Sequence, residues 1–158
     1  RNIYKYYPYE YLFGDEFGQY LTQNKEECQF FEPAWRAIVS NKMFSKFLYD
    51  LFPKSEYVLP CSYGKPIGDN YVKKPIISCG GANIEVVING ECVAKTDGNY
   101  GDGEFVYQDY FRLPDMNGNF PIIGSWLVGD KAAGISIREN TMMITNNTSK
   151  FCPHFFTK

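Results

Sequence analysis

The chain has 158 residues, of which 44% are hydrophobic and 18% aromatic, and its formal net charge is -2. This composition predicts a folded domain, and it argues against a globally basic surface for nucleic acid or anionic lipid. The sequence contains no apolar run long enough to span a membrane. Any anion-binding site must therefore be local.

The cysteines are scattered and odd in number, and they form no C-x-x-C pair. This usage is typical of reduced thiols, so we expect cytoplasmic localisation and neither a disulfide framework nor a zinc site of ordinary spacing. His154 is the one histidine, and its aromatic setting in "FCPHFF" favours packing over a catalytic dyad with Cys152.

Residues 1–55 are expected to be mainly helical. A short helix is predicted at 14–23, and a second in "EPAWRAIV", where Glu32 and Pro33 suit a helix N-terminus. The clearest helix is "SNKMFSKFLYDLFP", where Ser40 can serve as N-cap and Pro53 ends the helix. Its apolar side chains recur at helical spacing, at Met43, Phe44, Phe47, Leu48 and Leu51.

Residues 56–158 alternate short apolar runs with turn signals, so we expect mainly antiparallel sheet there and an α+β fold overall. The two tightest hairpin turns are predicted at Asn89-Gly90 and Gly129-Asp130. The predicted strands are "YVL", "YVKKPII", "NIEVVI", "ECVAKT", "EFVYQDYF", "PIIGSWLVGD", "AAGISIRE" and "TMMIT".

The stretch "YVKKPIISCGGANIEVV" places two lysines and a glycine turn between two predicted strands. Pro75 favours an extended backbone, so Lys73 and Lys74 should point to opposite faces, one toward a cleft. The alternative is that both are solvated on an edge strand. Because the turn at 80–82 opens no helix, it is not a Walker A loop; it is a lid over phosphates or simply a turn.

Two further basic residues are candidates for an anion site. Arg138 in "GISIRE" can fork onto a carboxylate or phosphate, or it can form a plain cross-strand ion pair. Lys42 lies in the first turn of its predicted helix, where a cation is unfavourable to the helix dipole. With Lys74, these residues are three cations able to meet around an anion.

Eight stretches, in this order along the chain, resemble the C-terminal synthetase domain of the glutathionylspermidine synthase family of ATP-grasp ligases. They are "YKYYPYEYLFGDEF", "EPAWRAIVSNK", "LFP", "YVKKPI", "GGANI", "VYQDY", "GSWLVGDKAAGISIRE" and "ITNNTSKFCPH". The resemblance covers nearly the whole chain and implies that residues 1–158 are the C-terminal part of one ATP-grasp domain.

The resemblance also implies a reaction and roles for residues. ATP activates the carboxylate of a peptide-like acid as an acyl phosphate, which an amine then attacks; the partners are small molecules, not nucleic acid or membrane. Arg138 matches the arginine that steadies the acyl phosphate. The cofactor-binding positions are the phosphate lysines Lys42 and Lys74, the lid residues Gly80, Gly81, Ala82 and Asn83, and the adenine hinge Gln108.

The chain departs from the family pattern in two ways. The family usually carries Arg-Glu before Gly-Ala-Asn, whereas this chain has Cys79-Gly80. The family's magnesium-binding acidic group belongs to a segment upstream of the matched stretches, so the magnesium ligands are expected outside this chain. The sequence therefore indicates part of a ligase; the alternatives are a non-catalytic module that binds nucleotide or a protein partner, and a purely structural interaction domain.

Overall fold

The computed structural model describes residues 2–22 and 28–157. It is an α+β structure with short helices near the N-terminus and mainly antiparallel sheets after them, as predicted. None of the helices in these two ranges is long and apolar enough to cross a membrane.

The segment before residue 52 contains short helices and two short strands. Strands β1 and β2 pair in parallel, a pairing that the sequence did not predict. In chain order the elements are β1 (Asn2–Tyr4), α1 (Tyr9–Leu12), a 3₁₀ helix (Gly18–Thr22), β2 (Gln29–Phe31), α2 (Arg36–Ser40) and α3 (Met43–Leu51).

Two predictions about these helices needed correction. The helix predicted at 14–23 is the shorter 3₁₀ helix, and residue 23 lies outside the described residues. Ser40 is not the N-cap of α3, because it is the last residue of α2 and its hydroxyl donates to the Ala37 carbonyl. Instead, the Asn41 side-chain oxygen accepts a hydrogen bond from the Met43 N–H at 2.8 Å.

Strands β3 to β7 form a five-stranded antiparallel sheet in the order β3-β7-β4-β5-β6. Strand β4 is central, lying between β7 and β5, so the alternative that both of its lysines are solvated on an edge strand is wrong. The strands are β3 (Cys61–Tyr63), β4 (Tyr71–Pro75), β5 (Glu85–Ile88), β6 (Glu91–Lys95) and β7 (Phe105–Asp109).

A second antiparallel sheet has the order β10-β9-β8. Strand β8 (Phe120–Val128) and strand β9 (Lys131–Asn140) form a long hairpin, and β10 (Lys150–Cys152) adds along β9. The hairpin turns occur at Gly129-Asp130 and, between β5 and β6, at Asn89-Gly90, as predicted. Asn89 and Gly90 both have positive φ, which suits the tight turn that joins right-twisted strands.

Two predicted strands are absent from the described structure. "YVL" lies in a turn region, where the Val58 N–H donates to the Ser55 carbonyl, and "TMMIT" forms bends after β9. The second segment bends because Ile144 is buried against the five-stranded sheet rather than extended along β9. There it forms a core cluster with Ile84 and Val86. This cluster joins the loop after β9 to the β5 region and so builds one wall of the candidate site.

Candidate functional site

A cavity of about 360 Å³ lies over one face of the five-stranded sheet. It brings together Lys42 from just before α3, Lys74 from β4, Gln108 from β7 and the glycines of the turn between β4 and β5. Most of the remaining lining is apolar, from Leu59, Val72, Ile84, Val86, Phe111, Leu113, Ile122, Met143 and Ile144.

Lys74 points into the cavity and Lys73 points to the opposite face, as the alternation in an extended strand predicted. The Lys74 ammonium donates to the Gln108 side-chain oxygen at 2.6 Å, across the diagonal between β4 and β7. Lys73 instead lies 3.4 Å from the Glu85 carboxylate and above the Phe105 ring. Burial lowers the pKa of Lys74, which means that the ammonium is partly desolvated in the folded protein.

Lys42 joins the start of α3 to the chain that follows β4. Its ammonium donates to the Ser78 carbonyl at 2.7 Å and to the Ser78 hydroxyl at 2.8 Å, while its backbone N–H donates to the Ile76 carbonyl. Burial, and then the like charge of Lys74, lower the pKa of Lys42. Two partly desolvated ammonium groups share one cavity, and this arrangement is suited to an anion that neutralises both.

The glycine turn forms part of the cavity wall through Gly80 and Gly81, whose φ angles are +61° and +74°. A Cβ at Gly81 would come within 2.3 Å of the Thr145 carbonyl oxygen, so the turn packs directly on the loop after β9. Within the described ranges, neither glycine N–H donates a hydrogen bond. Unpaired backbone N–H groups at a cavity wall are suited to anion binding.

The apolar walls and Gln108 complete the arrangement. Planar apolar rings fit between aliphatic and aromatic side chains, and an amide can accept and donate hydrogen bonds at the ring edge. Ammonium groups at one part of such a cavity favour a ligand that joins a flat ring to a polyanion. The Gln108 side-chain oxygen, however, already accepts from Lys74.

Three of the predicted site residues do not line the cavity. Ala82 and Asn83 follow the glycines, and the Asn83 side-chain oxygen accepts a hydrogen bond from the Tyr100 N–H at 2.8 Å. Arg138 is the register partner of Ile122, so it shares a sheet face with a residue that does line the cavity. The contact of these three residues with a ligand stays a prediction.

Arg138 is held beside the cavity by an uncharged partner. One of its terminal nitrogens donates to the Asn146 carbonyl at 2.6 Å, and the guanidinium carbon lies 5.3 Å from the centre of the Phe151 ring. Its Nε is buried and has no hydrogen-bond partner among residues 2–22 and 28–157. A partly buried guanidinium with an unused donor has capacity for an anion.

The described residues do not fit a magnesium site by themselves. Across 2–22 and 28–157 there is no group of three His, Cys, Asp or Glu side chains placed to hold a metal ion. Asp109 is the one carboxylate among the residues lining the cavity in the described part of the chain. Magnesium prefers several oxygen ligands in octahedral geometry, which one exposed carboxylate does not supply.

Sequence analysis missed Ser78 and the loop at 143–145 as parts of the site. Ser78 lies beyond the end of β4 at Pro75, where strand alternation no longer predicts direction. The loop was read as a strand because "TMMIT" is apolar and β-branched. The polar run "ITNNTS" directly after it was a signal for a loop and could have corrected that prediction.

The chain matches, over residues 1–157, the family described as glutathionylspermidine synthase preATP-grasp. The chain belongs to this family. The resemblance inferred from the motifs is therefore confirmed, and the α+β structure with mainly antiparallel sheets is consistent with it.

Relatives of this glutathionylspermidine synthase family chain carry the names of synthetases and of a ligase. It is 38% identical to a protein of Haemophilus influenzae whose name marks it as a candidate acid–amine ligase, over 98% of this chain and 41% of the relative. It is 34% identical to the trypanothione synthetase of Crithidia fasciculata, over 77% of this chain and 19% of that enzyme. It is 28% identical to the bifunctional glutathionylspermidine synthetase/amidase of Escherichia coli, over 85% of this chain and 22% of that enzyme. The chain thus spans about two fifths or less of these relatives.

Proposed function

We propose that this chain is the nucleotide-binding part of an ATP-dependent carboxylate–amine ligase with an ATP-grasp fold, and that ATP occupies the cavity over the five-stranded sheet. The observation that carries the proposal is the convergence of Lys42, Lys74, Gln108 and the glycine turn on one cavity. These residues lie far apart in sequence. Membership of a family whose relatives are named as synthetases and an acid–amine ligase supports the same reading.

In this proposal the two ammonium groups hold the phosphates of ATP and the apolar walls hold the adenine. Phosphoryl transfer to a substrate carboxylate forms an acyl phosphate and ADP, and attack by an amine then forms the amide and releases phosphate. The cations lower the barrier because negative charge must be stabilised at the transferring phosphoryl group. Arg138, beside the cavity with an unused Nε donor, is the proposed partner of the acyl phosphate.

The acid and the amine are proposed only by class, as a peptide-like acid and an amine. Both are small molecules that would approach the cavity from the side of Arg138. We also propose that the magnesium used in the reaction is bound chiefly by ligands other than the described residues, which do not form a metal cluster themselves. The whole chain is proposed to act in the cytoplasm as the C-terminal part of one synthetase domain.

The test is calorimetric titration of the chain with a non-hydrolysable ATP analogue, with and without magnesium. Wild type should bind, and Lys42→Met should bind at least about tenfold more weakly, because a charge-assisted contact is lost while the aliphatic stem is retained. Lys46→Met is the matched control, since Lys46 lies one helical turn further along α3 and pairs with Asp50 instead. Absence of binding by wild type in both conditions refutes the proposal.

A second candidate function is a non-catalytic module that binds nucleotide and a protein partner. It is favoured by a second, apolar cavity of about 510 Å³, whose lining includes the exposed side chains of Phe13, Ile38 and Phe47. The two candidates are separated by ADP release when ATP, a carboxylate and an amine are supplied. Nucleotide binding without any ADP release, also in a longer chain of the length of the relatives, favours the module.

A further inference from the structure

Ser78 is the residue that fixes the position of the Lys42 ammonium. An ammonium group has three N–H donors and no acceptor. Two of the three are taken by Ser78, through its carbonyl at 2.7 Å and its hydroxyl at 2.8 Å. One donor is left for a ligand, and the two bonds to a single residue restrict how the ammonium can rotate.

Ser78 also links the start of α3 to the glycine turn. Ser78 directly precedes Cys79 and the two cavity glycines, so the residue that holds the ammonium leads directly into the turn that offers the unpaired backbone N–H groups. The Lys42 backbone N–H also bonds to Ile76. Three hydrogen bonds therefore tie the start of α3 to the segment 76–78, which leads into the glycine turn.

The Lys42 ammonium needs such acceptors because its surroundings otherwise disfavour its charge. Burial and the ammonium of Lys74 both lower the pKa of Lys42, while the negative charge of Cys79 in its ionised form and that of the Glu10 carboxylate act in the opposite direction. The Ser78 hydroxyl and carbonyl are neutral oxygens in direct contact with the ammonium. Hydrogen bonds to the charged form favour that form.

We propose that Ser78 is a positioning residue of the nucleotide site, which keeps the Lys42 ammonium charged and aimed into the cavity with one N–H available for phosphate. This inference rests on the proposed nucleotide site. It names the specific contact through which the glycine turn and the phosphate lysine act together.

The first test needs no nucleotide. The ¹³Cε resonance of Lys42 is followed through a pH titration of wild type, Ser78→Ala and Ser78→Thr, with assignment from Lys42→Met. Ser78→Ala should lower the pKa of Lys42, because one acceptor of the charged form is removed. Ser78→Thr should restore it because the hydroxyl is retained. An unchanged pKa of Lys42 in Ser78→Ala overturns the inference, even if the protein binds nucleotide.

The second test is the affinity for the same ATP analogue at several pH values. Ser78→Ala should bind about three- to tenfold more weakly, since the carbonyl bond remains, and its affinity should decline at lower pH than that of wild type. Ser125→Ala, an exposed serine of β8 that does not line the cavity, is the control for loss of a hydroxyl.

The outcomes separate this inference from the proposed function. If wild type binds the analogue and Lys42→Met does not, but Ser78→Ala binds like wild type with an unshifted pH profile, the positioning role is refuted and the nucleotide site stands. If wild type does not bind but Ser78→Ala still lowers the Lys42 pKa, the contact is confirmed, while its role in nucleotide binding fails together with the proposed function.

Discussion

Replacing Lys74 by methionine should weaken nucleotide binding without weakening the fold. The change removes the ammonium and keeps an unbranched apolar side chain of similar length. The lost interaction with phosphate is one charge-assisted hydrogen bond, worth about 1.5–3 kcal/mol. At about 1.4 kcal/mol per factor of ten, the dissociation constant of the ATP analogue should rise roughly 10- to 150-fold.

Lys74→Met should leave the free energy of unfolding unchanged or increase it. Burial lowers the pKa of Lys74, so the folded state disfavours the ammonium, and the Gln108 oxygen left behind faces an open cavity where water can reach it. The free energy of unfolding of Lys74→Met should therefore equal or exceed that of wild type. Calorimetric titration and urea denaturation on the same preparations measure both quantities.

Lys73→Met is the matched control, one residue away on the opposite face. It loses the 3.4 Å contact with Glu85 and the contact with the Phe105 ring, so it should reduce stability by about 0.2–1 kcal/mol and leave nucleotide affinity unchanged. Equal nucleotide affinity in Lys74→Met and wild type, or equal losses in the two variants, would refute the reasoning.

Three other predictions follow from described contacts. Burial lowers the pKa of both cavity lysines, and phosphate binding needs their charged forms. As the pH rises, nucleotide affinity should therefore begin to fall at pH values below the ordinary pKa of lysine. Calorimetry across a pH series that shows constant affinity in that range contradicts the prediction. Gly81→Ala should lower the free energy of unfolding by about 1–3 kcal/mol more than Gly90→Ala does, as measured by urea denaturation. Both glycines have positive φ, but only at position 81 would the added Cβ lie 2.3 Å from a carbonyl oxygen. Asn41→Ala should lower the free energy of unfolding by about 0.5–2 kcal/mol, because the cap of α3 is lost, and Ser40→Ala should lower it by less. Thermal unfolding measures both effects, and the reverse order refutes the prediction.

Patterns along the chain predicted those features that depend on neighbouring residues. Pro75 and strand alternation were enough to place Lys73 and Lys74 on opposite faces, because side-chain direction in a strand reverses at every residue. The hairpin turns at 89–90 and 129–130 were likewise predictable, since few residues tolerate the backbone angles that such turns require.

Where two local conformations had similar propensity, tertiary contacts decided which one formed. Serine and asparagine are both good N-caps, and Ser40 became the end of α2 while Asn41 capped α3. "TMMIT" has strand-like residues, yet it bends because Ile144 gains more from burial on Val86 and Ile84 than from extending β9. Local propensity is weak compared with burial of a large apolar side chain.

The sequence by itself determined the fold class, the family and the identity of the cationic residues. Only the tertiary structure decided that Lys42, Lys74 and Gln108 share a cavity while Arg138 lies beside it, and that Ser78 holds Lys42. The physical reason is that periodicity gives the face of an element on which a side chain lies. The distance between faces depends on how sheets and loops pack, and that packing is set by contacts between residues far apart in the chain.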